Sequence, residues 1–96
     1  MDGRTFLIKS TESHLNFCMT GCLNQCNLKD RGDKEKALSF YQAIDKAALR
    51  VLEASVTKKD GTLDFAVKGG KRKAFEKQVL KLKAKCEKAL KKNGWL

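Results

Sequence analysis

Five apolar residues near the C-terminus, Phe75, Val79, Leu82, Cys86 and Ala89, are separated by steps of four, three, four and three. An α-helix turns once every 3.6 residues, so this spacing lays them along one narrow seam, whereas a strand would throw them onto both faces. The stretch 69–92, GGKRKAFEKQVLKLKAKCEKALKK, is therefore expected to be a long helix whose seam must be covered. The cover is either the rest of the chain or another helix, which leaves open a homodimer through Phe75, Val79, Leu82 and Cys86.

The opposite side of that helix carries Lys73, Lys77, Lys81, Lys85, Lys88, Lys91 and Lys92. At about 1.5 Å per residue the band runs nearly 30 Å, and its i, i+4 neighbours repel one another by a few tenths of a kcal/mol each. Residues 1–67 hold ten cations and nine carboxylates, while residues 68–96 hold eleven cations against Glu76 and Glu87 alone. Nine of the ten excess positive charges thus belong to one element.

The first turn of this helix reads Lys71, Arg72, Lys73 directly after two glycines. A helix N-terminus carries roughly half a positive charge, so each cation there is disfavoured by about 0.3–1 kcal/mol. An anion reverses the sign of that interaction, because glycines leave the backbone N–H groups open to it and the cations surround it. Lys68, Lys71, Arg72 and Lys73 are accordingly read as an anion site heading a basic rail that continues to Lys92. The competing reading is a solvated face, although solubility is served by mixed signs and this face is almost purely cationic.

A polyanion with closely spaced phosphates is the partner such a rail fits, since neutralising several phosphates releases counterions and gives affinity without reading sequence. Base-specific readout favours Arg, Asn and Gln at groove edges, and this segment offers one Arg, Gln78 and Asn93. A membrane surface fits poorly, because the seam is narrow and lacks the aromatic residues of an interfacial helix. The expectation is a small, non-enzymatic, nucleic-acid-binding protein that makes electrostatic, weakly sequence-selective contacts to DNA or RNA. The alternative is a protein inhibitor or adaptor, of the kind a phage encodes as an accessory, docking by the same basic face on an acidic surface of a nucleic-acid-processing complex.

A chain of 96 residues supports one hydrophobic core, so residues 1–96 are expected to form a single compact domain. RTFLIK, residues 4–9, is a short run rich in strand-formers and is read as a strand. From Thr11 to about Leu28, apolar residues recur at three- and four-residue steps, giving an amphipathic helix with a kink expected at Gly21. KDRGD is a turn with Asp33 as the next helix cap, and residues 34–54 carry a wide apolar face. KKDGT is a turn, and TLDFAV alternates as a strand over 62–67. The fold class expected is α+β, predominantly helical, in the order β-α-α-β-α, with a two-stranded antiparallel pair and a basic helix over 68–92.

His14, Cys18, Cys22 and Cys26 recur every four residues. Both residue types ligate zinc, yet residues 14 and 26 of one helix lie about 18 Å apart along its axis, too far for a single ion. Chelation would need Cys86 or a chain that folds back at Gly21. The same cysteines complete an apolar stripe with Leu15, Met19 and Leu23, and a free thiol packs as a small hydrophobe, so core packing is the main expectation and no metal or cofactor is expected. His14 and Cys18 stand four residues apart as a Cys/His couple would, but no orienting group or oxyanion donor is identified for them, and KGGKRK lacks the P-loop spacing. Trp95 is read as an apolar anchor for the C-terminus, with base stacking as the alternative. MDGRTFLIKS does not read as a secretory signal, and cysteines without export are expected as reduced thiols in a cytoplasmic protein.

Overall fold

The computed structural model describes residues 3–96. Three helices, α1 (Gly3–Asn27), α2 (Lys34–Glu53) and α3 (Gly69–Lys92), are joined by a 3₁₀ turn (Lys29–Arg31) and by a hairpin of β1 (Ser55–Thr57) and β2 (Leu63–Phe65). The order is α-α-β-β-α, which corrects the β-α-α-β-α expectation twice: the expected first strand lies inside α1, and the strand at Ser55–Thr57 is not among the expected elements.

RTFLIK lies inside α1 rather than in a strand. Ile8 stands seven residues before Leu15, two helical turns, so it extends the stripe Leu15, Cys18, Cys22 and Cys26 and packs on the core that those residues form. A lone strand there would also lack a partner. The strand over 62–67 is present as Leu63–Phe65, but it pairs antiparallel with Ser55–Thr57, its neighbour across the KKDG turn. That turn is locally built: Asp60 Oδ1 accepts from the Thr62 N–H at 3.0 Å and from its hydroxyl at 2.6 Å, and Gly61 supplies φ 87°.

α2 begins where expected, with the Asp33 carboxylate accepting from the Lys36 N–H at 3.1 Å. α1 continues without a break through Gly21, so the chain does not fold back there. The glycine is needed for a different reason. A Cβ at position 21 would meet ring carbons of Phe40 at 2.7 Å, so its absence lets the Phe40 ring lie against the α1 backbone.

One core is shared by all three helices: Leu15 and the cysteine stripe from α1, Ala37, Ile44, Ala48 and Val51 from α2, and Phe75, Val79, Leu82, Cys86 and Leu90 from α3. The α3 seam is therefore covered within the chain. At the far end Gly94, with φ 73°, closes α3, the Asn93 amide donates to Cys26 O at 2.8 Å, and Trp95 packs beside Gly32. These contacts put the C-termini of α1 and α3 together, with Trp95 docked on the core. The molecule measures 57 × 21 × 17 Å. Among the described residues no helix is long and apolar enough to cross a membrane.

Candidate nucleic-acid interface

The basic residues of α3 fall into two groups according to where the seam places them. Taking about 100° per residue, Arg72, Glu76, Lys83 and Glu87 lie on the flank turned toward α2, while the lysine band lies on the outer arc.

The flank is neutralised. Arg72 donates through Nη1 to Leu52 O at 3.0 Å and to Val67 O at 3.3 Å, its Nε sits 3.2 Å from Glu76 Oε1, and its guanidinium lies 4.7 Å from the centroid of Phe65. Leu52 belongs to the last turn of α2, the negative end of that helix dipole. The cation that looks misplaced at the start of α3 is thus well placed at the end of α2, and Arg72 is directed away from the anion site that its sequence position suggested. Lys83 pairs with Asp45 at 3.0 Å and lies 5.8 Å from the centroid of the Tyr41 ring. The Tyr41 hydroxyl donates to Glu87 Oε1 at 2.5 Å, and burial followed by this bond to a carboxylate pushes the phenol well above its usual range.

Lys68 is also engaged, pairing with Asp64 four residues earlier. Its hydrogen bond holds the Asp64 carboxyl below the usual carboxylate range. Of the proposed anion site only Lys71 and Lys73 stay exposed without an ion pair among the described residues. The N-cap residue Lys68 makes no side-chain capping bond, and Gly69, with φ 66°, and Gly70 leave open space beside the first turn of α3.

The outer arc is not neutralised. Lys71, exposed too, lies on the flank toward α1 beside Ile8 and Glu12, whereas Lys73, Lys77, Lys81, Lys85, Lys88, Lys91 and Lys92 form the arc; all seven are exposed, and none has a carboxylate partner among the described residues. They extend over about 30 Å of helix. At the border between this arc and the α2 flank, Leu80 is 65% exposed.

The cysteine stripe is on the inside. Cys18, Cys22, Cys26 and Cys86 are buried, and burial pushes their thiols up. Metal binding and nucleophilic attack both use the thiolate, which this environment disfavours. His14 is exposed, with Nε2 3.7 Å from Cys18 Sγ. Among the described residues no three His, Cys, Asp or Glu side chains converge on a position that a metal ion would occupy.

A feature that the sequence reading passed over is the aromatic group on the outside of the α1–α2 pair. His14 and Phe17 are three residues apart on α1, a spacing that puts both on one face, and Phe40 of α2 meets Phe17 edge to face. No protein-family model, no curated protein and no solved structure matches this chain.

Proposed function

We propose that this chain is a non-enzymatic, cytoplasmic nucleic-acid-binding protein whose α3 outer arc tracks a phosphate backbone with little sequence preference. The observation that carries this reading is the sorting of α3 charge: the basic side chains toward α2 are paired, while the seven lysines of the outer arc have no carboxylate partner among the described residues. A row of unpaired ammonium groups on a rigid helix costs self-repulsion in the free protein, and a polyanion relieves it. Lysines act here as point charges, which suits backbone contacts rather than base readout. The test compares single reversals. Lys77→Glu, Lys81→Glu and Lys88→Glu should each weaken binding to unrelated DNA and RNA sequences alike, whereas Lys83→Glu should act mainly on stability through Asp45. Equal effects of Lys83 and Lys81 on binding would sink the reading.

The second reading, docking on an acidic protein surface, is favoured by one observation. Leu80 at 65% exposure and Leu49 at 49% exposure flank the α2–α3 groove beside the lysine arc, and apolar side chains at the edge of a charged patch are where protein interfaces place their energetic centre. Leu80→Ser separates the two readings, because it should leave a phosphate rail unaffected and weaken a protein dock.

A further inference from the structure

Among the described residues, those that line the groove between α1 and α2 all belong to these two helices. Its α1 residues stand about 160° around that helix from the residues that border α3, so it lies on the other side of the molecule from the lysine arc. We propose that it is a small-molecule site for a planar aromatic anion of nucleotide size.

The space is about 450 Å³, within the range of ligand pockets. His14 and Phe17 stand nearly parallel, with centroids 6.5 Å apart and planes at 16°, and Phe40 meets Phe17 edge-on at 5.9 Å and 76°. The result is an aromatic corner whose Phe17 ring is 64% exposed, which leaves a flat apolar face open to a ring that could stack on it. On the α2 side Phe40 is seated against Gly21, where an added Cβ would stand 2.7 Å from the ring. A flat ring entering the groove would stack on Phe17 and remove that exposed face from water.

Charge selects the rest of the ligand. Among the described residues Lys36 is the only formally charged one lining the groove, and no carboxylate lines it. The Asp33 carboxylate, which caps α2 by accepting from the Lys36 backbone N–H at 3.1 Å, is not among the groove-lining residues. Ser39 adds a hydroxyl that can donate to or accept from a ring substituent. An aromatic ring with an attached phosphate or carboxylate satisfies both features, ring on Phe17 and anion toward Lys36.

Isothermal titration at low salt with AMP, adenosine and inorganic phosphate tests the site. AMP is expected to saturate with one site. Phe17→Leu, which keeps apolar bulk at an exposed position, should lower AMP affinity by about tenfold through the loss of stacking. Lys36→Ala should weaken AMP while leaving adenosine unchanged. The Lys77/Lys81/Lys88→Glu variant should bind AMP as the native chain does, so the site stands or falls independently of the α3 rail. Absence of saturable AMP binding, competition by phosphate as effective as by AMP, or unchanged AMP affinity in Phe17→Leu would each overturn the proposal.

Discussion

Arg72→Ala separates a structural cation from a phosphate-binding one, and the structure fixes the expected size of its effect. The side chain is 28% exposed and makes a hydrogen bond to Leu52 O at 3.0 Å and a longer one to Val67 O at 3.3 Å. A hydrogen bond involving a charged group contributes about 1.5–3 kcal/mol, and its removal leaves the terminal α2 carbonyl without that donor. The Glu76 partner is 46% exposed, so the i, i+4 pair adds only about 0.3–0.5 kcal/mol. Stacking over a half-exposed Phe65 adds about 0.5–1 kcal/mol. Allowing for water replacing some of these contacts, the substitution should cost about 2–4 kcal/mol. In a domain of this size that is a fall in Tm of about 10 °C or more. Lys77→Ala, on the exposed arc, should change stability by less than about 0.5 kcal/mol. Urea denaturation followed by circular dichroism gives the stability, and a salt titration of DNA binding below the transition gives the function. Arg72→Ala should be destabilised with its salt slope intact, and Lys77→Ala should show the reverse. An Arg72→Ala protein as stable as the native one, with a salt slope lowered by about one, would refute the assignment of Arg72 to the α2 terminus.

Gly21→Ala should destabilise by about 1–3 kcal/mol despite the better helix propensity of alanine, because its Cβ would stand 2.7 Å from the Phe40 ring, and Phe40→Leu in the same chain should restore part of the loss in a thermal melt. The four buried thiols should react with a thiol reagent only as fast as the chain opens, so added urea accelerates labelling, and rapid labelling of the native protein would contradict their burial. Their folded pKa values are raised, so the stabilisation they give is complete below the ordinary thiol pKa of about 8.5 and is lost as pH rises through the folded values. Stability should therefore decline above about pH 8.5, less steeply in Cys22→Ala, and a flat alkaline profile would count against it. Tyr41→Phe should likewise soften the decline above about pH 10, since the raised Tyr41 pKa disfavours ionisation only in the folded state.

What the sequence reveals here depends on how local each determinant is. The four-three-four-three seam is a short-range signal, and Phe75, Val79, Leu82 and Cys86 are all buried, although Leu90 rather than Ala89 completes the buried set. The lysine band opposite the seam follows from the same helical geometry and is exposed as that geometry requires. Asp33 as a cap and DG as a turn are equally local. RTFLIK misled because β-branched and aromatic content is a weak preference, and the continuing α1 stripe together with the core on Ile8 overrides it. Val56 and its neighbours were hidden in a three-residue strand too short to alternate. The fate of Arg72 was illegible for another reason: its main partner, Leu52 O, is 20 residues away and becomes visible only when α2 ends beside the start of α3. The α1–α2 aromatic corner was half legible. His14 and Phe17 share a face by spacing, but the ring that completes it comes from α2, and only packing brings Phe40 to Gly21.

The salt dependence of binding to a random-sequence DNA duplex, native chain against Lys77/Lys81/Lys88→Ala, addresses the central claim most directly. If the α3 arc tracks phosphates, log affinity falls linearly with log salt, and removing three contacts lowers the slope by about 2.7. Single-stranded DNA and structured RNA in the same assay should show the same ranking of the two proteins. Binding that is absent at low salt, or a slope identical in the two proteins on all three ligands, would contradict the account and turn attention to an acidic protein partner.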